Sequence, residues 1–347
     1  MKADPELQRL IDKAVDEITR GGRHASTVLA EINRVLRPSV STARALRAGV
    51  YERLRSDHQH VVPPFLRERL RRAFGDRTDE IIAAQLQDAP VYLRVNTLKT
   101  TRAALLSRSE FQPFRPSAAP EGGSSCLRVS LPFGLFATTA FHQGMFEQQD
   151  AASQRVSLAL APEPGQRIID ACAGAGGKTL HMAALMQNKG RIIALDVAPD
   201  KLESLKERAT RAGVQNVETR VITSTKVVKR LHGTADGVLI DAPCSGTGVL
   251  RRNPDILWHL TEDMLLELMT TQREILRRSM LCAKPGGRVV FATCSLLPEE
   301  GPDAVRDVLS TTTAGSWNID KEWTTLPLTS DDPDGFYVCV LTRSNAA

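Results

Sequence analysis

Apolar residues recur at helical spacing from Glu6 to about Ser56: Leu7, Leu10, Ile11, Val15 and Ile18, then Val28, Leu29, Ile32, Val35 and Leu36. Gly21-Gly22 and Arg37-Pro38 punctuate that run, so the pattern predicts a small helical bundle. Val62-Pro63-Pro64 marks a break, and Phe65–Phe74 reads as a further helix with arginines on its outer face. Between about 90 and 145 the pattern turns α+β: Val91 to Asn96 alternates as a half-buried strand does, and Glu121–Ser125 is a loop. From there strands and helices alternate. Strands are expected at Arg167–Asp170, Arg191–Asp196, Thr219–Ile222, Gly237–Asp241 and Gly287–Thr293, with helical segments such as Thr179–Met186, Lys201–Ala212 and Thr261–Leu281. This alternation predicts an α/β domain whose parallel sheet is covered on both faces, with ligands at the carboxyl ends of its strands. The expected division is a helical region over 1–60, an α+β subdomain over 61–145 and the βα domain over 146–347.

A chain of 347 residues fits this division into two domains or one large domain with an extension. Apolar residues at 42% and charged residues at 24% exclude a mostly disordered chain. The longest apolar runs are strand-sized, so no membrane span is expected, and the early acids of Met1-Lys2-Ala3-Asp4-Pro5 do not resemble a secretion signal. A net charge of +5 is small, yet residues 1–80 hold 16 Lys and Arg against 12 Asp and Glu, nearly all the bases being arginine. Arginine forks phosphate and stacks on exposed bases, which favours a nucleic-acid partner. Six cysteines (Cys126, Cys172, Cys244, Cys282, Cys294, Cys339) form no CxxC pair, so neither a metal site nor a disulfide framework is expected. Free thiols in a reducing, cytoplasmic compartment follow as the default.

The first strand of the βα domain runs into Asp170-Ala171-Cys172-Ala173-Gly174-Ala175-Gly176-Gly177-Lys178-Thr179 and then a helix. Glycines at such a turn let backbone N–H groups approach a polar or anionic ligand. Three ligands compete. A phosphate-binding loop would match at Gly177-Lys178-Thr179 but has Cys172 where its first glycine belongs, and a dinucleotide fingerprint fails on spacing. The third is S-adenosylmethionine, for which Asp196, about 20 residues on at the end of the second strand, would accept hydrogen bonds from both ribose hydroxyls. A helix N-cap is the plainer role for Asp196, since Pro199 and a helix follow.

Two cysteines narrow the choice. Asp241-Ala242-Pro243-Cys244-Ser245-Gly246-Thr247-Gly248 follows the fourth strand, and Ala292-Thr293-Cys294-Ser295 ends the fifth. In the strand order usual for methyltransferase-like sheets these ends are adjacent, so both thiols would face the cofactor crevice. The chemistry that needs two thiols there is methylation of carbon 5 of a pyrimidine. A thiolate adds to carbon 6, carbon 5 then attacks an electrophilic methyl group, and a base removes the carbon 5 proton so that the enzyme thiol leaves. Asp241, if protonated or sharing a proton, would hydrogen-bond the ring nitrogen and offset charge in the intermediate.

At these residues the chain resembles the Sun/Nop-type RNA cytosine-C5 methyltransferases, nearest to the ribosomal RNA small-subunit methyltransferase B-like branch. The resemblance spans roughly 64–342 and is carried by Pro64–Asp76, Leu93–Leu98, Phe146–Ser153, Asp170–Thr179, Asp241–Gly248, Thr293-Cys294-Ser295 and Asp334-Gly335-Phe336. It implies a Rossmann-like methyltransferase fold with a mostly parallel seven-stranded sheet, preceded by the helical region and an α+β RNA-binding subdomain. It implies Cys294 as nucleophile, Cys244 in product release, and cofactor contacts at Cys172, Ala173, Gly174, Ala175, Gly176, Gly177, Lys178, Asp196 and Asp241. S-adenosyl-L-methionine is then the methyl donor, and the substrate is RNA, ribosomal rather than transfer RNA, taken by a monomer. Three departures stand out: Ala175 replaces the usual proline, Val221–Thr225 offers only hydroxyls where an aspartate is common, and Gly301 replaces an asparagine.

The target cytosine must be unpaired or flipped, because a duplex hides carbon 6. Arg251-Arg252, with Trp258 close behind, are expected to contact phosphate, and the resemblance adds Arg94 and Asn96. Two other functions compete: a non-catalytic RNA-binding or assembly protein that keeps the fold, motivated by the missing third-strand aspartate, and more distantly a P-loop NTPase.

Overall fold

The computed structural model describes residues 4–56, 62–312 and 316–344. At the N-terminus, α1 (Pro5–Thr19), α2 (Ala25–Leu36) and α3 (Val40–Ser56) pack around Ile11, Ala14, Ile18, Val28, Leu29, Leu46, Val50 and Leu54. The 3.6-residue period places these side chains on one stripe of each helix. Asp4 caps α1 by accepting from Glu6 N at 3.0 Å. The bundle leans on the βα domain, where Asp255 Oδ2 lies 3.2 Å from His24 Nδ1 and accepts from Ala25 N, and where Trp258 packs on the bundle core.

Next, α4 (Pro64–Phe74) and α5 (Thr78–Gln85) bury Leu66, Leu70 and Ile81 against Leu250, Leu257 and Leu296. A four-stranded antiparallel sheet follows in the order β2-β3-β1-β4, from β1 (Val91–Val95), β2 (Pro116–Ala118), β3 (Cys126–Val129) and β4 (Phe146–Gln148). The last strand lies beyond the expected boundary near 145. Phe146 is buried with Phe111 and Leu93, but a three-residue strand is too short to show a period.

The larger sheet has seven strands: β5 (Arg167–Asp170), β6 (Arg191–Asp196), β7 (Val217–Val221), β8 (Ala235–Asp241), β9 (Ala283–Thr293), β10 (Trp317–Thr325) and β11 (Phe336–Arg343). Their order is β10-β11-β9-β8-β5-β6-β7, with the strands β5 through β9 all parallel and β11 antiparallel to both neighbours. Alternate residues serve opposite faces. Ile169, Ile193, Val238, Ile240, Val289 and Phe291 meet Leu276 and Val305 on one side; Ile168, Ile192, Leu239 and Val290 meet Val156 and Met182 on the other. Burial on both faces explains why these strands read as unbroken apolar runs. The antiparallel pair β10–β11 escaped the sequence reading because β10 is an edge strand, half-exposed and charged at Asp320, Lys321 and Glu322. No helix among the described residues is long and apolar enough to cross a membrane.

Strand order reverses between β5 and its neighbours β6 and β8, so the turns after β5, β6, β8 and β9 converge on one crevice.

Candidate active site

The turn after β5 is pinned before it reaches any ligand. Ala171 N and Ala173 N donate to Leu239 O and Leu195 O, both at 2.8 Å. Gly174 N donates to Asp196 Oδ2 at 2.8 Å, and Ala198 N to Asp196 Oδ1 at 2.9 Å. Asp196 thus joins two strand ends and still has lone pairs turned to the crevice. Gly174 adopts φ +52, and a Cβ there would meet no atom within 4 Å, so its backbone opens straight onto the cavity. Ala175 O accepts from Arg208 Nη1 at 2.7 Å, and Gly176 backs onto Leu205.

Lys178 and Thr179 point inward. Lys178 Nζ pairs with Asp241 Oδ2 at 2.6 Å and lies over the Phe336 ring; Thr179 Oγ1 donates to Asp170 Oδ2 at 2.6 Å. A phosphate-binding loop would turn that lysine to a phosphate and that hydroxyl to a cation; here their partners are the carboxylates of Asp241 and Asp170. The Lys178 ammonium thus sits on Oδ2 of the carboxylate expected to meet the ring nitrogen.

One cavity of about 710 Å³ runs from Cys172, Gly174 and Asp196 past Asp241 to Cys244 and Cys294. Ile222 and Thr225, from the segment that lacks the usual aspartate, form its far wall with the helix Glu262–Ser279. Its volume, an open glycine backbone at one end and the paired acceptors of Asp196 fit S-adenosylmethionine with room for a base beyond.

At the other end Cys244 Sγ and Cys294 Sγ are 3.3 Å apart. The contact with Cys294, followed by burial and the nearby Glu300 carboxylate, pushes the Cys244 thiol well above the usual cysteine range. Either sulfur of the pair can be the S–H donor. By contrast Cys126, Cys282 and Cys339 are core residues whose thiols burial pushes up to about 12. Backbone contacts fix the two loops: Gly248 N donates to Cys294 O at 2.9 Å, and Gly335 N to Gly248 O at 2.8 Å.

Of the residues expected to touch RNA, Arg94, Asn96 and Arg251 are buried and Arg252 is half-buried. Arg94 is buried, donating to Gln149 Oε1 and Gly177 O, and desolvation lowers its pKa to about 10. Asn96 Nδ2 donates to Gly144 O and Ala212 O, both at 2.8 Å. Arg251 is sealed against Asp334 Oδ1 and Asp332 O, while Arg252 bridges Asp334 and Asp150. These four knit elements together; Trp258, too, belongs to the bundle interface. Arginines with free heads occur on α3. Arg44 and Arg47 are exposed and form no ion pair among the described residues. With Arg55 and Arg128 they line a second cavity of about 820 Å³ whose floor is Arg251 and Arg252. Arg44 stacks on the Phe133 ring at 4.7 Å, and Phe133 is itself half exposed.

Sequence reasoning missed Glu300 and Gln272, which are fully buried behind the cysteines. The acids after Thr-Cys-Ser were the available signal. The Gly301 departure has a local cause: a Cβ there would meet Tyr337 Cγ at 2.9 Å.

Known proteins resemble this chain in sequence and in fold. Residues 157–341 match the family described as 16S rRNA methyltransferase RsmB/F, and residues 62–121 match the ferredoxin-like domain of RsmF/B-like methyltransferases. The chain is 33% identical over 319 residues to ribosomal RNA small subunit methyltransferase B of Enterobacter sp. (strain 638), covering 90% of this chain and 73% of that one. The crystal structure of PH0851 superposes with a TM-score of 0.78 at 26% identity, covering 98% of this chain and 82% of that one. NSun6 from Pyrococcus horikoshii, solved with SFG, shares the fold with a TM-score of 0.73 at 22% identity, covering 83% of this chain and all of that one.

Proposed function

We propose that this chain, which belongs to the 16S rRNA methyltransferase RsmB/F family and is an S-adenosylmethionine-dependent RNA methyltransferase, methylates carbon 5 of a cytosine in ribosomal RNA through a covalent adduct on Cys294. The observation that carries this reading is the 3.3 Å thiol pair at the end of the cavity that begins at the glycine turn.

S-adenosylmethionine would be held by the Cys172–Gly174 backbone and Asp196, and when bound would supply an electrophilic methyl group and leave as the thioether. The protein's own part is addition and elimination. Cys294, as the thiolate, adds to carbon 6 of a flipped cytosine, which makes carbon 5 nucleophilic. Asp241, oriented by Lys178 through Oδ2, keeps Oδ1 without a hydrogen-bond partner among the described residues and accepts there from the exocyclic amine. After methylation a base takes the carbon 5 proton, Cys244 assists release, and the Cys294–carbon 6 bond breaks to return the thiolate. The strand flanking the target follows the arginine-lined cavity between α3 and the small sheet, where Arg44 and Arg47 meet phosphates and Phe133 offers a stacking face.

Cys294→Ala is expected to abolish transfer of label from the cofactor to RNA while leaving cofactor binding intact by calorimetry. Cys244→Ala is expected to accumulate a protein–RNA adduct that survives reductant on a gel. Full turnover by Cys294→Ala would sink the mechanism, and a non-catalytic assembly protein would bind no cofactor.

A further inference from the structure

Glu300 is wholly buried, and no cation lies within ion-pair distance of it among the described residues. Four neutral donors surround its carboxylate instead. Oε1 accepts from Ser245 N and Gln272 Nε2, both at 2.8 Å; Oε2 accepts from Ser295 Oγ at 2.6 Å and from Ser245 Oγ. Ser245 follows Cys244, and Ser295 follows Cys294. Gln272 also donates to Pro243 O at 2.9 Å, just before Cys244. A single carboxylate therefore ties together both cysteine loops and the helix Glu262–Ser279. A buried charge without a counter-ion is costly unless its hydrogen bonds are complete, and such a site is a poor way to gain stability alone.

We propose that Glu300 is a positioning residue for methyl transfer, fixing the separation and direction of the Cys244 and Cys294 thiols by clamping the serine beside each. The proposal rests on the two-thiol reading above. Addition to and elimination from the same ring require both sulfurs in reach of one base, and a misplacement of about 1 Å can cost roughly 100-fold. Glutamine at this position preserves the clamp. Its carbonyl accepts from Ser245 N and Gln272, and its amide donates to the two hydroxyls once they turn.

The test uses the full chain, labelled S-adenosylmethionine and unmodified 16S rRNA transcript. Glu300→Ala is expected to lower kcat by roughly 100-fold, with KM for RNA and cofactor affinity unchanged, and Glu300→Gln is expected to restore most of kcat. In a Cys244→Ala background, Glu300→Ala should slow adduct formation and Glu300→Gln should not. A merely structural role would lower the folded fraction and leave kcat per folded molecule unchanged; that result overturns the proposal. Should Glu300→Ala not fold, Ser245→Ala/Ser295→Ala keeps the carboxylate and removes two donors. A drop in its kcat at constant KM supports the clamp, and wild-type kcat refutes it. An active Cys294→Ala sinks the two-thiol reading and the proposal together. An inactive Cys294→Ala beside a fully active Glu300→Ala sinks the proposal alone.

Discussion

Asp170 sits beneath the glycine turn with Thr179 as its side-chain donor, while its Oδ1 is buried without a partner among the described residues. Burial pushes its pKa up to about 7. Its folded pKa lies above the unfolded value of about 4, so between about pH 4 and 7 the folded state binds more protons. Stability from this group is full below about pH 4 and declines as pH rises to about 7, by at most ~1.4 kcal/mol per pH unit. Asp170→Asn lacks this dependence. Its melting temperature, measured from pH 5 to 8, should gain on wild type as pH rises; parallel profiles would show that Asp170 stays charged. At this scale the sequence was legible wherever the candidate site lies in contiguous residues. The glycine turn, Asp196, Cys244 and Cys294 all meet at one cavity. It was illegible where burial decides a role. Nothing beside Arg94, Asn96 or Arg251 announces that each is internal, and Glu300 acts on Ser245, 55 residues away.

Among elements, the loops after β8 and β9 meet the chain before β11 at a backbone crossing. A Cβ on Gly248 would lie 2.3 Å from Gly335 O and 2.9 Å from Cys294 O, so only glycine fits. Gly248→Ala is expected to cost about 1–3 kcal/mol by overpacking, read by thermal unfolding, and to lower kcat further by displacing the Cys294 loop. Unchanged kcat would show that the crossing is slack. The parallel strands were readable because burial on both faces concentrates Ile, Val and Leu into short runs. Strand β4 was too short to read, and β10 lies at an exposed, charged edge where pattern fades.

Across the whole molecule, the helical bundle, the small sheet and the βα domain share one arginine-lined cavity. Most of those guanidinium groups already have acids: Arg55 pairs with Asp88, Arg128 with Asp331, and Arg251 and Arg252 with Asp334. The free positive charge is that of α3. Arg44→Ala/Arg47→Ala should weaken RNA binding and flatten the dependence of log K on log salt by about 0.7 for each single-strand phosphate no longer neutralised. Binding measured over a salt series checks both, and an unchanged slope would place the RNA elsewhere. The switch of hydrophobic period from helical to alternating can be read along the chain; the cleft that the bundle and the two sheets enclose cannot, because its walls are remote in sequence.

The segment from Cys244 to Arg252 has one thiol of the pair at one end and the floor of the arginine cavity at the other, with Gln85 fastened to Gly248 O and to Arg251 N in between. On the function proposed above, the same nine residues join the wall of the RNA cleft to the thiol pair. Natural selection acting on one end is felt at the other, so a lineage adapting to a new RNA through this stretch would have to retune its chemistry at the same time.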